Sequence, residues 1–119
     1  MKLATLAHEA GFPPGVINVL TGEGATCGAA LASHPNINRL SFTGSTASGR
    51  EIQKLSAMSN MKALSLEMGG KSPAIIFADA DLKTAAEKTA FSIGWLSGQT
   101  CYANSRILVE QNVADEFVE

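Results

Sequence analysis

Short apolar runs that suit β-strands alternate with helical patterns along the chain, and this alternation limits the possible folds more than any other feature. The predicted strands are the β-branched Val16–Leu20, the continuously apolar Ala74–Phe77, and Asn38–Phe42, Met61–Leu66 and Arg106–Val109. Helical spacing or a capping signal occupies the intervals between them. Because alternating strands and helices build parallel sheets, the sequence predicts an α/β fold with largely parallel sheets.

The composition excludes several classes of partner. Nine basic and eleven acidic residues are interspersed over 119 residues, which gives a formal net charge of -2. Binding to nucleic acid would call for a basic stripe, so we expect no nucleic-acid partner. No apolar run approaches the ~18 residues of a spanning helix, so we expect no membrane span. Two cysteines without metal-ligand spacing and two histidines predict no metal site and reduced thiols.

The helical intervals allow more detailed predictions. A short amphipathic helix should end before Gly11, and small residues predict another helix over Ala29–Ala32. The acidic pair Asp79 and Asp81 should cap a helix from about Leu82 to Trp95. Its expected inward residues are Ala85, Ala86, Ala90, Phe91 and Ile93. The strand Ala74–Phe77 is continuously apolar and is therefore expected to be buried on both faces.

Two glycine-rich segments each follow a predicted strand and precede a predicted helix. In Thr21–Gly28, the third glycine of a dinucleotide fingerprint is replaced by Cys27, and no acidic residue lies about 20 positions further on. A cofactor contact at Gly24 and a simple tight turn both remain open there. For Cys27 the pattern favours a small buried side chain.

The second segment, Thr43–Gly49, places small residues at the start of a helix. Free N–H groups and the positive end of the helix dipole make such a start suitable for a phosphate, although an ordinary serine-capped helix fits equally well. Arg50 and Glu51 stand where a nucleoside triphosphate loop needs Lys and Ser or Thr, which disfavours a kinase or an ATPase. The candidate residues are Gly44, Ser45, Thr46, Ala47, Ser48 and Gly49.

A hinge and a loop carry the candidate reactive side chains. Glu67 ends a predicted strand and is followed by two glycines and, at Pro73, by a proline that opens the next extended segment. The change of composition predicts a domain boundary there, with residues 1–67 in one domain and 68–119 in the next. Cys101 follows Gly98 in a polar loop, where a reactive thiol and an inert one are both possible.

Three of these motifs together resemble the aldehyde dehydrogenase superfamily. The motifs are Phe42–Thr46, Leu66–Pro73 and Gly98–Cys101, in the order and at the spacing expected of that family. The resemblance implies a partial, Rossmann-like aldehyde dehydrogenase fold, with the end of a cofactor domain joined to the start of a catalytic domain. Met68 stands where the family commonly has leucine, which is an apolar exchange.

The resemblance also implies roles for particular residues. Cys101 would attack an aldehyde as a thiolate, and the thiohemiacetal oxyanion would be held partly by the Cys101 N–H. After hydride transfer to NAD or NADP, Glu67 would activate the water that hydrolyses the thioester. The segment Gly44–Gly49 would lie at the cofactor pyrophosphate, Gly24 near the adenosine half and the Met68 backbone near the nicotinamide.

Further expectations concern the parts of the family that this sequence lacks. The resemblance implies a missing upstream lysine and asparagine, a missing downstream glutamate and a missing oligomerisation segment, so the isolated chain is expected to be inactive. The family suggests a homo-oligomer, and the expected reduced thiols predict a cytoplasmic location. One alternative is a cysteine hydrolase using Cys101 and His34, although the run around the cysteine fails the caspase-like pattern. Another is a non-catalytic module that docks on a full-length relative.

Overall fold

The computed structural model describes residues 2–119, and Met1, where the first predicted helix begins, lies outside them. The chain forms two compact units. The first runs to Leu40 and resumes from Arg50 to Leu64, and the second contains Ser41–Gly49 and Ser65–Glu119. The domain boundary expected after Glu67 stays a prediction.

From residue 39 onward strands alternate with helices, as the pattern of the sequence predicts, except that β2 is followed directly by β3. The α-helices are α1 (Lys2–Glu9), α2 (Ala29–Ser33), α3 (Thr46–Ala57), α4 (Leu82–Gly94) and α5 (Ala114–Val118). The strands are β1 (Arg39–Gly44), β2 (Ala63–Met68), β3 (Ser72–Ile76) and β4 (Asn104–Val109). Within residues 2–119, no helix combines the length and the apolar character that crossing a membrane requires.

The strands form two pairs, β1 with β2 and β3 with β4. The pair β3 and β4 is parallel, with Ala74 opposite Ile107 and Ile76 opposite Val109. Its register shifts at Ser72 and Pro73, where a proline cannot donate to the ladder. The crossover from β3 to β4 contains α4, which is the connection that a parallel pair needs. The predicted α/β class with a parallel sheet is therefore confirmed.

Helix α4 begins where its capping residue was predicted. The Asp81 side chain accepts a hydrogen bond from the Thr84 N–H at 3.1 Å and another from the Thr84 hydroxyl at 2.8 Å. These bonds favour the ionised carboxylate and lower the pKa of Asp81. The helix therefore starts at a fixed residue, and it ends at Gly94, just ahead of the cysteine loop.

In the first unit, three polar side chains satisfy carbonyl groups at the end of α2 and in the turn after it. Ser59 Oγ donates to the Ser33 carbonyl at 2.7 Å, and Asn60 Nδ2 donates to the Pro35 and Ile37 carbonyls, each at 2.8 Å. The buried Lys62 ammonium donates to the Ala32 carbonyl. Because the last carbonyls of a helix have no partner within it, these bonds fix where α2 stops.

The strand predicted over Val16–Leu20 is wrong. The segment is irregular, and no strand of the described residues pairs with it. Its hydrogen bonds are local, from the Val16 N–H to the Pro13 carbonyl at 3.2 Å and from Asn18 Nδ2 to the Gly15 carbonyl at 2.8 Å. A β-branched run forms a strand only when another strand accepts and supplies its backbone hydrogen bonds. The apolar side chains are consequently exposed.

Two predictions of burial are also wrong. Along β3, Ile76 is buried whereas Ile75 is 58% exposed, so the strand alternates instead of being covered on both faces. On α4, Ala85 and Ala86 are half-buried as expected, but Phe91 is 62% exposed, and Ala90 and Ile93 are exposed as well. The face of α4 that packs inward holds Leu82, Ala85, Ala86, Thr89 and Ser92, which lie three or four residues apart.

Candidate active site

The hinge after β2 lies directly beside the cysteine loop. Glu67 is the last residue but one of β2, and its side chain is exposed. The chain then turns through Gly69 and Gly70 before β3 begins. A Cβ atom placed on Gly70 would lie 3.7 Å from the Cys101 carbonyl oxygen, so the two backbones come within van der Waals contact. The folded second unit thus brings the acidic and the thiol motifs together.

The loop that carries Cys101 begins with an unusual turn. Leu96, Ser97 and Gly98 have φ values of 49°, 57° and 71°, all in the left-handed region. Non-glycine residues reach that region at a cost in energy, and such residues concentrate at functional sites. Cys101 follows this turn, is half-buried and forms no disulfide.

The Glu67 side chain affects the pKa of the Cys101 thiol. Hydrogen bonding with the Glu67 side chain is the largest cause that raises the pKa of Cys101, followed by burial and by repulsion between the two negative charges. The backbone N–H groups of Cys101 and Tyr102 act in the opposite direction and lower that pKa, but they do not offset the rise. The resting thiol is therefore protonated at neutral pH, with a carboxylate beside it that can take the proton.

Polar atoms on both sides of the cysteine line the same loop. Ser92 on α4 and Asn104 at the start of β4 hydrogen-bond to each other at 3.0 Å. Thr100 Oγ1 and Ser105 Oγ are buried and have no hydrogen-bond partner among the described residues. Arg106 Nε donates to the Lys71 carbonyl at 2.9 Å, which adds a further tie between the hinge and β4. Polar residues thus flank the cysteine in the chain, and hydrogen bonds join α4 to the start of β4 and the hinge to β4.

The second glycine-rich segment starts α3 in the same unit. Ser45 Oγ accepts a hydrogen bond from the Ser48 N–H at 3.1 Å, and the Gly49 N–H donates to the Ser45 carbonyl at 2.9 Å. The N–H groups of Thr46 and Ala47, in the first turn, have no acceptor among the described residues. All four residues from Ser45 to Ser48 are exposed, so these donors and the positive end of the helix dipole are accessible to an anion.

Gly49 allows α3 to pack closely on the end of β2. It is buried, and a Cβ atom there would lie 2.7 Å from Met68 Sδ, closer than packed atoms come. Because Gly49 has no side chain, the start of α3 can pack directly against Met68. The segment Gly44–Gly49, Met68, Glu67 and Cys101 therefore all belong to one compact unit.

The remaining candidates lie in the first unit. Gly24 begins a short π-helical turn, Gly24–Gly28, and nothing lies within 4 Å of a Cβ placed on it. Cys27 is half-buried in that turn and packs against Gly22, as expected of a small core side chain. His34 is exposed, and its Nδ1 accepts the Asn36 N–H at 3.1 Å. The ring therefore supports the turn that the sequence predicts there.

A separate apolar hollow of about 360 Å³ lies at the other end of the parallel pair. Its lining comes from the carboxyl-terminal ends of the two strands and from the residues that follow them, namely Ile75, Ile76, Phe77, Leu108, Val109 and Glu110. Cys101 and the hinge precede β4 and β3, so they lie at the amino-terminal ends of these strands. The hollow is not part of the thiol site.

Sequence reasoning missed the link between Ser92 and Asn104 and the buried Lys62. Each had a signal in the sequence. Ser92 interrupts the apolar residues Phe91 and Ile93, and a polar residue in such a position needs a partner. Lys62 lies between Met61 and Ala63, near the start of a mostly apolar strand run. Neither signal indicates which atom the side chain will meet, because that depends on the folded chain.

Comparison with known proteins gives a consistent result. The chain matches the aldehyde dehydrogenase family over residues 1–119. It is 52% identical over 118 residues to "Aldehyde dehydrogenase, cytosolic 1" of Rattus norvegicus, covering 99% of this chain and 24% of the relative. It is 51% identical over 119 residues to "Aldehyde dehydrogenase 2, mitochondrial" of Saccharomyces cerevisiae, covering 100% of this chain and 23% of the relative.

A solved structure supports the same grouping. A variant of P. syringae AldA indole-3-acetaldehyde dehydrogenase in complex with NAD+ and IAA superposes with a TM-score of 0.90 at 47% identity, over 98% of this chain and 24% of that one. The chain belongs to the aldehyde dehydrogenase family. It spans about a quarter of the length of the relatives it matches.

Proposed function

We propose that this chain supplies the thiol, the acid and part of the cofactor site of an NAD- or NADP-dependent aldehyde dehydrogenase. The observation that carries the proposal is the close approach of the hinge after Glu67 to the Cys101 loop, where a Cβ atom on Gly70 would lie 3.7 Å from the Cys101 carbonyl oxygen, in a chain of this family. The Glu67 side chain also raises the pKa of the thiol. The substrate is an aldehyde and the product is the corresponding carboxylic acid. The solved relative with NAD+ supports the choice of cofactor.

Cys101 is the nucleophile of the proposed reaction. Its thiol is protonated at rest, so the proton must leave before attack, and the adjacent Glu67 carboxylate is positioned to accept it. The sulfur then bonds to the aldehyde carbon and gives a thiohemiacetal. The Cys101 N–H, which already lowers the pKa of the thiol, is a suitable donor to the oxyanion.

Glu67 acts again when the thioester is hydrolysed. Glu67 first passes the thiol proton to solvent, to which its side chain is exposed. Its carboxylate then takes a proton from water, which attacks the carbonyl carbon, and returns that proton to the departing Cys101 sulfur as the acid is released. Because Glu67 lies near the end of β2, with Met68 between it and two glycines, its backbone is fixed on one side and adjustable on the other. That suits a base that serves two steps.

The start of α3 fits the pyrophosphate of the cofactor. Accessible N–H groups of Thr46 and Ala47 and the hydroxyls of Ser45 and Ser48 can hold phosphate oxygens, with Gly44 and Gly49 framing the segment. The Met68 backbone would lie near the nicotinamide, and Gly24 near the adenosine half. When bound, NAD or NADP supplies the hydride acceptor.

A chimera tests the role of Glu67. In the rat relative, the matching 118 residues are replaced by this sequence, and Glu67→Gln is compared with the unsubstituted chimera. We expect Glu67→Gln still to give one turnover of NADH as a burst, because loss of the carboxylate lowers the pKa of the thiol and lets water take its proton. The steady state that follows should be slower by roughly 10²–10⁴-fold, because no base activates the hydrolytic water. Rapid-mixing absorbance measures both phases. Loss of the burst in an otherwise active chimera would assign Glu67 another task.

We further propose that the chain needs the rest of an aldehyde dehydrogenase for activity. Its span of about a quarter of its relatives supports this, as does the upstream asparagine implied by the family resemblance. One lost oxyanion donor alone can cost ~10²-fold or more. The purified 119-residue chain should therefore form no NADH above background from aldehyde and NAD. Robust NAD reduction by the chain contradicts this proposal.

Location and assembly stay predictions. The rat relative is named as cytosolic and the yeast relative as mitochondrial. These names are compatible with a cytoplasmic location but do not establish it. A homo-oligomer is proposed from the family resemblance alone. Docking of the chain on a full-length relative is a second possibility, which the exposed apolar side chains of Val16, Leu20 and Phe91 favour. Native mass measurements with and without such a relative would show it.

A further inference from the structure

Ser92 and Asn104 join the two ends of the loop that carries Cys101. Ser92 Oγ donates to Asn104 Oδ1 at 3.0 Å, and the Asn104 backbone N–H donates to the same Ser92 Oγ at 3.1 Å. Asn104 Nδ2 donates to the Pro73 carbonyl at 3.4 Å. Both side chains are half-buried. One serine and one asparagine thus tie the end of α4 to the start of β4 and to β3.

The backbone of the loop between Ser92 and Asn104 is strained. It contains the left-handed turn of Leu96, Ser97 and Gly98, two of which are not glycine. A strained turn persists only where its surroundings fix it. Local bonds contribute, from the Gln99 N–H to the Leu96 carbonyl at 3.1 Å and from the Ala103 N–H to the Thr100 carbonyl at 3.2 Å. The bonds that anchor the loop to other elements are those of Ser92 and Asn104.

The position of the thiol depends on these anchors because Cys101 lies three residues before Asn104. Its neighbours across the site are Gly70, where an added Cβ atom would lie 3.7 Å from the Cys101 carbonyl oxygen, and Glu67, which interacts with the thiol. If the end of the loop moved, the sulfur would leave the carboxylate.

We propose that Ser92 and Asn104 are positioning residues, which form a clamp that holds Cys101 Sγ beside the Glu67 carboxylate. The inference rests on the proposed function, in which the thiol loses its proton to that carboxylate. A purely structural link between α4 and β4 would stabilise the fold without affecting how strongly Glu67 acts on the thiol. The two roles therefore differ in one measurable quantity, the coupling between the clamp and Glu67.

Alkylation of the thiol by iodoacetamide measures this coupling without aldehyde or cofactor. The Cys27→Ser form of the chain leaves Cys101 as its one thiol. Glu67 on β2 is the ionisable side chain that raises the pKa of this thiol. Arg106 on β4 is bonded to the Lys71 carbonyl, and Tyr102 is exposed. The midpoint of the alkylation rate against pH then reports how closely the sulfur and the carboxylate approach.

We expect Ser92→Ala and Asn104→Ala each to lower that midpoint and to raise the alkylation rate at neutral pH. In the Glu67→Gln background, most of the shift should disappear. Ser92→Thr, which keeps the hydroxyl, should restore the original midpoint. Thr89→Ala is the matched control, because the Thr89 hydroxyl lies one turn earlier on α4 and bonds to the Ala85 and Ala86 carbonyls of its own helix.

Three outcomes would overturn the proposal. They are an unchanged midpoint in both clamp variants, a shift of equal size in the Glu67→Gln background, or loss of the folded circular dichroism spectrum even in the mild Ser92→Ala variant. The last would show that the clamp maintains the fold and does not merely position the thiol. Because alkylation needs no turnover, a chimera without dehydrogenase activity would count against the proposed function and leave this inference standing.

Discussion

The two cysteines lie in segments that look alike in sequence and differ in structure. Both follow glycines, both are half-buried and neither forms a disulfide. Cys27 lies in a right-handed π-helical turn, in which the N–H groups of Thr26 and Cys27 donate to the Glu23 carbonyl. Cys101 follows a left-handed turn, and its pKa is raised by Glu67, which lies on β2. The feature that distinguishes Cys101 from Cys27 is therefore a side chain from a distant segment and not its own neighbours in sequence.

The largest expected effect separates the two thiols in the chimera. Cys101→Ser removes the proposed nucleophile, so NADH formation should fall by roughly 10⁴-fold or more. Cys27→Ser replaces a packed side chain by one of similar size and should change the rate less than about twofold. Steady-state absorbance with a saturating aldehyde measures both. Comparable losses in the two variants would erase the distinction between the segments.

The second largest effect concerns Glu67, the acid beside Cys101. Its carboxylate raises the pKa of the thiol, so Glu67→Gln should lower that pKa and increase the thiolate fraction near neutral pH. Alkylation of Cys101 should then become faster at neutral pH, with its midpoint at lower pH. Mass spectrometry of the separate peptides follows Cys27 in the same sample as an internal control. A midpoint that stays in place or rises contradicts the expected fall in the thiol pKa.

The smallest effect compares one glycine from each segment. Gly98 has φ +71°, and a Cβ there would lie 3.2 Å from the Ile93 carbonyl oxygen, so Gly98→Ala should cost about 1–2 kcal/mol of folding free energy. Gly28 has φ -63° and open space around a Cβ, so Gly28→Ala should add about 0.5–1 kcal/mol. Denaturant unfolding of the chain gives both values. Equal changes would mean that the backbone of the cysteine loop is not strained.

Sequence reasoning succeeded for elements whose signal is local. The Asp81 cap, the helix after it, the turn at His34 and the strands around Glu67 and Arg106 were predicted close to their observed bounds. It failed at Val16–Leu20 and on the outer faces of β3 and α4. In those cases the outcome depended on whether another part of the chain covered or paired with the segment, and no local pattern records that.

The sequence by itself determined the α/β class, the family and the two candidate catalytic side chains, because periodicity, capping residues and the three motifs are properties of consecutive residues. Only the tertiary structure decided that Glu67 raises the pKa of Cys101, that Gly49 lies against Met68 and that Ser92 bonds to Asn104. Each of these contacts joins residues far apart along the chain, and their distances are set by how strands and helices pack.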